Sequence, residues 1–315
     1  MTEDEAAAPP ANTRPGAELL IGAVDCHVHA CPHLNGRSVD VFQAVREAAA
    51  AGMSGLGLMD NFANSAGYAA LARRALPELE IEVFGGLIME PQSGGISADA
   101  VRAALGCGYG PGDGARFISL PTHHTRNVAR LEGRSPAYIE TCLEIPEQGA
   151  LPDPLPEILD LIAERDVVLN TGHVSGPEAV RLSEIAKRRG IERILVPASH
   201  YGAGEVREIA AQGAFAEFSF FFLSHATQAG LTHVDAERHT VPAVSLGQMA
   251  ELIRAAGPEH AVLSSDCGVY LLPPPAEGLR EFLLMIESAG FDRRALARMV
   301  RMNPGLLFKV LKEGP

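Results

Sequence analysis

Lysine is nearly missing from this chain. Lys187, Lys309 and Lys312 are its whole complement in 315 residues, and tryptophan is absent. Basic charge of any kind is short: 26 Lys+Arg stand against 39 Asp+Glu, a formal net charge of −13. Nucleic acid and anionic membrane surfaces both require a basic face, so neither is expected as a partner. No apolar run reaches the ~18 residues of a membrane-spanning helix. The cysteines (Cys26, Cys31, Cys107, Cys142 and Cys267) are scattered and odd in number. That is no disulfide framework, and a reducing, cytoplasmic setting is expected. The opening stretch MTEDEAAAPPANTRPG has no apolar segment of the secretory type, and residues 1–17 read as a disordered tail.

What is present is an ordinary globular balance, 47% hydrophobic and 21% charged. From residue 18 to 315, short apolar runs alternate with helical patterns. The runs include GAVDCHVHA, SGLGLMD, IEVFGGLIME, ARFISLPTHH, VVLNTGHV, RILVPASH, AFAEFSFFFL and AVLSSDCG. Near-continuous apolar strands, each followed by a helix, predict one α/β domain, a (β/α)8 TIM barrel. An open doubly wound sheet would stop at five or six strands and carry a Gly-rich first turn; here that turn reads HVHACPHLNG. Two stretches break the rhythm, 125–150 after strand four and 224–244 after strand seven. The first suggests a short hairpin around AYIETCLEI. Asp40 and Gln43 sit where the first helix would place an N-cap and its N3 partner, and Gly52 where it would stop.

Barrels of this kind place their chemistry at the C-terminal strand ends. His27, His29, His123, His124, His173 and His200 all fall there, as does Asp266. A lone histidine in an apolar strand is usually a satisfied core residue, but a rim of them reads as a site. His27 and His29 are two apart and should face one side of their strand, with Asp25 sharing it. Two imidazoles, a third and a carboxylate suit a divalent metal, Zn2+ first, one or two per chain, with a position left for water. Asp266 can both ligate and carry a proton.

In this arrangement the chain resembles the amidohydrolase superfamily, through DCHVHA, NTGHVS, VPASH, LSSDCG and MNPGLLF over residues 20–310. More narrowly it is similar to an uncharacterised branch of predicted metal-dependent hydrolases, through AGMSGLGL, LIMEPQSGGI, RFISLPT and the SSDCG…LPPPAEGL stretch. The resemblance implies metal ligation by His27, His29, His173 and Asp266. It implies a second-metal or substrate-polarising role for His200, with His200 and Asp266 as the catalytic pair. Many binuclear members bridge their metals through a carbamylated lysine on strand four, and none of the three lysines here can serve. His123 or His124 is the candidate replacement, Glu144 a weaker one, and strand alternation allows only one of the two histidines to reach the metal.

The implied activity is hydrolysis of an amide, cyclic amide or lactone by metal-bound hydroxide. The alternatives are a phosphoesterase with two or three metals, a single-zinc decarboxylase or lyase, and a metal-binding protein without turnover. Asp266 argues against the last, because a closed structural zinc site rarely uses a carboxylate. A small-molecule substrate and a homo-oligomer complete the expectations. Arg37, Arg126, Arg130 and Arg134 lie in rim loops where a guanidinium could hold an anionic group. Glu90 and Glu217 could each orient a ligating imidazole. Cys31 and Cys267 read as packing residues, Phe220–Phe222 as core, and His225, His233 and His239 as solvent-facing loop residues.

Overall fold

The strand–helix alternation is realised in the order β1 (Val24–Val28), α1 (Val41–Ala50), β2 (Gly55–Leu58), α2 (Ala66–Ala75), β3 (Glu82–Ile88), α3 (Ala98–Leu105) and β4 (Phe117–Ser119). Next come α4 (Arg126–Leu131), α5 (Pro136–Thr141), α6 (Leu155–Arg165), β5 (Val168–Asn170), α7 (Gly176–Arg188), β6 (Ile194–Pro197), α8 (Ala203–Ala211) and β7 (Phe215–Ser219). A small antiparallel pair, β8 (Leu231–Thr232) with β9 (Arg238–His239), precedes α9 (Leu246–Ala256) and β10 (Ala261–Ser264). The chain closes with α10 (Pro275–Ser288), α11 (Arg293–Ala297), a π-helical turn at Arg298–Met302 and α12 (Asn303–Leu307). This computed structural model describes residues 14–229, 231–232 and 238–311.

Eight parallel strands pair in the order β1-β2-β3-β4-β5-β6-β7-β10. The ends meet where Val28 bridges Cys267 and the Asp266 N–H donates to the His27 carbonyl at 2.9 Å. The result is a nearly closed (β/α)8 barrel. Its interior is filled by Val24, Cys26, Phe84, Phe117, Leu195 and Val262, all buried. Phe308 plugs the N-terminal end by stacking on Phe84 at 4.6 Å between centroids. Burying a side chain of that size contributes about 1.5–3 kcal/mol. Gly57 makes room for the same ring, because a Cβ there would sit 2.7 Å from Phe84 Cε2.

Local rules account for most boundaries. The Asp40 carboxylate accepts the Gln43 N–H and starts α1. The Gln43 side chain donates to Glu47 rather than back to the cap. Gly52, at φ 75°, ends that turn. The hairpin expected around AYIETCLEI is instead the short helix α5: Ser135 accepts the Tyr138 N–H as N-cap, and Pro136 occupies the first turn. Start signals thus outweigh the β-branched residues there. Of the expected N-terminal tail, residues 1–13 lie outside the described residues. Arg14 pairs with Glu277 at 3.0 Å, and Pro15 accepts from Arg280, so the chain already packs against α10 before residue 17. Among the described residues no helix is long and apolar enough to cross a membrane.

Candidate functional site

A local irregularity in β1 sets the site. Val24 and Asp25 pair with Gly55 and Leu56, but Val28 pairs with Leu58, so β1 holds one residue more than β2 over this stretch. Such a bulge re-aims side chains. Val24 and Cys26 face the barrel interior, and the bulge then brings His27 and His29 together above them. Asp25 does not join them. It is fully buried, and its Oδ1 accepts the N–H groups of Ser265 at 3.0 Å and His27 at 3.3 Å. Burial raises its pKa to about 7.

The ligand atoms offered by His27, His29 and Asp266 all lie within 4.8 Å of one another. His27 Nε2 is 3.4 Å and His29 Nε2 3.3 Å from Asp266 Oδ1. Asp266 reaches this position through a left-handed backbone, φ 50°, uncommon outside glycine. Two residues on, Gly268 has φ 126°, and a Cβ there would fall 1.7 Å from the His29 carbonyl oxygen. Only glycine lets the two loops close this tightly.

Behind His27 stands Glu217 of β7, 1% exposed, with Oε1 3.1 Å from His27 Nδ1. The Ser264 hydroxyl also donates to Glu217 Oε1, at 2.8 Å. The carboxylate fixes the proton on Nδ1 and directs Nε2 at the cluster. Burial disfavours a charged His27, but Asp266 and Glu217 outweigh it and raise the imidazole to about 9. Burial raises Asp266, against the lowering influence of His27, His173 and Arg37. Two imidazoles and a carboxylate, one imidazole backed by a second carboxylate, form a donor set that fits a divalent metal.

His173 and His200 line the same cavity but lie outside the compact cluster. His173 follows β5 at a turn locked by its own N–H to the Pro121 carbonyl, 3.1 Å, and by its carbonyl accepting from Thr125 Oγ1, 2.9 Å. Burial lowers its pKa to about 4, so it is neutral at pH 7. His200 Nε2 is 2.8 Å from the Pro242 carbonyl, so Nε2 carries the proton and Nδ1 a lone pair. In this state the ring accepts or ligates at Nδ1 and cannot donate there.

His123 lines the cavity, whereas His124 turns outward to Thr141 Oγ1 at 3.2 Å and to the Tyr138 ring. Glu90 organises this turn and no imidazole: its carboxylate accepts the N–H groups of Thr122, His123 and His124 and the Thr122 hydroxyl. Arg126 pairs with Glu144, which removes both from the cavity. Arg134 lies 3.7 Å from Glu132 and stacks over Tyr138, and Arg130 is exposed. Of the rim arginines considered, Arg37 alone lines the cavity. Phe222 is more than core packing, since its edge faces His200 at 4.8 Å and His173 at 6.2 Å between centroids. His225 is exposed; His233 lies outside the described residues.

Sequence reasoning passed over His33 and Asp60. His33 Nε2 is 2.9 Å from Arg37 Nη2 and 3.5 Å from Asp60 Oδ1. Both sit in loops after short strands, where neither periodicity nor strand-end position marks them. HxHxxxH, with its third histidine four residues on, was the available signal.

Residues 22–217 match the family described as "Family of unknown function (DUF6282)". The chain belongs to this family. No curated protein matches it. Solved structures share its fold. An amidohydrolase from Pseudomonas aeruginosa aligns at 10% identity and TM-score 0.57, covering 93% of this chain and 98% of that one. An organophosphorus hydrolase from Deinococcus radiodurans aligns at 16% identity and TM-score 0.54, covering 93% of each. A putative 2-pyrone-4,6-dicarboxylic acid hydrolase from Pseudomonas putida aligns at 16% identity and TM-score 0.55, covering 93% and 99%. At these identities the likeness is one of architecture: this DUF6282 chain has the barrel of those proteins.

Proposed function

We propose that this DUF6282 protein is a metal-dependent hydrolase acting on an amide, cyclic amide or lactone. The observation that carries the reading is the convergence of His27, His29 and Asp266 at the C-terminal mouth of the barrel, with Glu217 bonded behind His27. Fold-sharing proteins described as hydrolases of amide, organophosphorus and pyrone substrates support it by analogy.

His27, His29 and Asp266 would hold the metal, zinc in the first instance, with His173 as a further donor. A bound divalent metal lowers the pKa of water to roughly 7 and supplies a nucleophile at neutral pH. Asp266 takes the proton from the attacking water and passes it to the leaving group. His27 stays in one tautomer because Glu217 holds its Nδ1 proton. Phe221 and Phe222, with Val128 and Val174, exclude bulk water from the reacting side of the cavity. A single compact cluster among the described residues, with His200 bonded to Pro242, favours one metal over the two or three of a phosphoesterase.

The test is a panel of amides, cyclic amides, lactones and phosphate esters with zinc-loaded protein and its Asp266→Asn variant. The expected result is turnover within the carbonyl classes, falling by about 10²–10⁴-fold in the variant, the usual yield of a general acid–base group. Metal content is measured on the same samples. A variant that keeps its metal and its rate removes Asp266 as the proton carrier. Turnover confined to phosphate esters contradicts the substrate class.

A further inference from the structure

Arg37 is a charge without a counter-charge of its own. Its guanidinium lines the cavity, and its Nε is buried without a hydrogen-bond partner among the described residues. Nη2 lies 2.9 Å from His33 Nε2, while His33 Nδ1 accepts the Asn35 N–H at 3.0 Å. No carboxylate among the described residues comes within ion-pairing distance of it, whereas Arg126, Arg134, Arg116 and Arg193 each have one. Burial lowers its pKa to about 10, with Asp266 and Asp60 acting in the opposite sense, so it remains charged at pH 7. A half-buried cation in a cavity, with two carboxylates near but none in contact, is placed to receive an anionic ligand.

Its backbone is equally fixed. Arg37 bridges Val269 in antiparallel sense, and the Ser38 N–H donates to the Gly268 carbonyl at 2.7 Å. The first rim loop is thereby tied to the loop carrying Asp266, and the guanidinium stands beside the ligand cluster. Around it the cavity, about 110 Å³, is mostly apolar: Val128, Leu131, Phe221, Phe222, Val241 and Val269 form its walls. Among the described residues neither a lysine nor a second arginine lines it; Glu132 does, 3.7 Å from Arg134.

We propose that Arg37 is the anion-recognition residue of this cavity, and that the substrate is a small monocarboxylate with an apolar body. The guanidinium takes the carboxylate at its terminal Nη end, and the apolar walls take the body. The scissile carbonyl is left towards His27, His29 and Asp266. One cation admits one anionic group, and the apolar walls disfavour a second. The substrate assignment rests on the hydrolase reading above; the anion site itself does not.

The probes are 4-fluorobenzoate and its neutral analogue 4-fluorobenzamide, followed by fluorine NMR with zinc-loaded and metal-stripped protein. Wild type is expected to bind the carboxylate at least about tenfold tighter, the scale of a hydrogen bond to a charged group. Arg37→Gln should remove that preference and leave amide binding unchanged. Arg37→Lys should restore part of it, and Arg130→Gln, at an exposed position, should match wild type. Thermal melts show whether each variant is folded; if Arg37→Gln is not, the two-probe comparison in wild type and Arg37→Lys decides. Equal binding of the two probes, or no binding of either, overturns the proposal. So does a carboxylate preference that survives Arg37→Gln but vanishes on metal removal, which places the anion on the metal. An Arg37-dependent preference that persists without metal upholds the anion site even where the hydrolase reading fails.

Discussion

Glu217 Oε1 lies 3.1 Å from His27 Nδ1, and the pair joins β7 to β1 across the barrel interior. This carboxylate is 1% exposed, and its Oε1 accepts from His27, Ser264 and the Cys26 thiol. The consequence is an imidazole with one tautomer and one direction. Glu217→Gln weakens that acceptor while keeping its shape. The expected outcome is a folded protein whose zinc affinity falls about 10–100-fold, the usual effect of losing an orienting partner. Chelator competition reads it, and an unchanged affinity would show that Glu217 does not orient a ligand.

The same pair gives a pH signature. In the metal-free protein His27 stands at about 9, above its ordinary 6.5, because Asp266 and Glu217 outweigh burial. A raised value means that the protonated form stabilises the fold. The contribution is full below about 6.5 and is lost as the pH climbs through 9. Asp25, at about 7 through burial, titrates at the edge of this window and is retained in the control variant. Metal-stripped wild type is therefore expected to lose more Tm between pH 6.5 and 9.5 than His27→Gln. Parallel curves for the two proteins would contradict the charged pair.

Gly268→Ala tests the closure of the two loops. A Cβ there meets the His29 carbonyl oxygen at 1.7 Å, on a backbone at φ 126° that alanine rarely adopts. Overpacking of this kind costs about 1–3 kcal/mol or more. The strain falls where His29 and Asp266 meet, so metal affinity should drop together with Tm. A variant with wild-type metal affinity would show that the loops have slack.

The barrel was legible because its signals are repeated, apolar strands alternating with helical patterns, with Asp40 at the start of α1 and Gly52 at its stop. Five histidines of the cavity, His27, His29, His123, His173 and His200, were visible as strand-end residues for the same reason. Of His123 and His124, which the sequence offered as one of two, His123 lines the cavity and His124 turns away, on a turn that Glu90 holds through three backbone N–H groups. Asp25 was misassigned to the side of His27 because a bulge breaks the period of two, and a bulge of one residue leaves no mark in VDCHVH. Arg37 could be separated from Arg126 and Arg134 only by their ion pairs, which are made by residues distant from any motif. His33 and Asp60 belong to the same class of loop residue, defined by tertiary contact alone.

Metal stoichiometry by elemental analysis tests the central claim most directly. Purified wild type and the variants His27→Gln, His29→Gln and Asp266→Ala are each loaded with zinc, desalted and measured with their thermal melts. The account predicts about one metal per chain in wild type and its loss in each variant, with folding retained. Wild type that holds no metal after loading, or variants that hold as much as wild type, would contradict it.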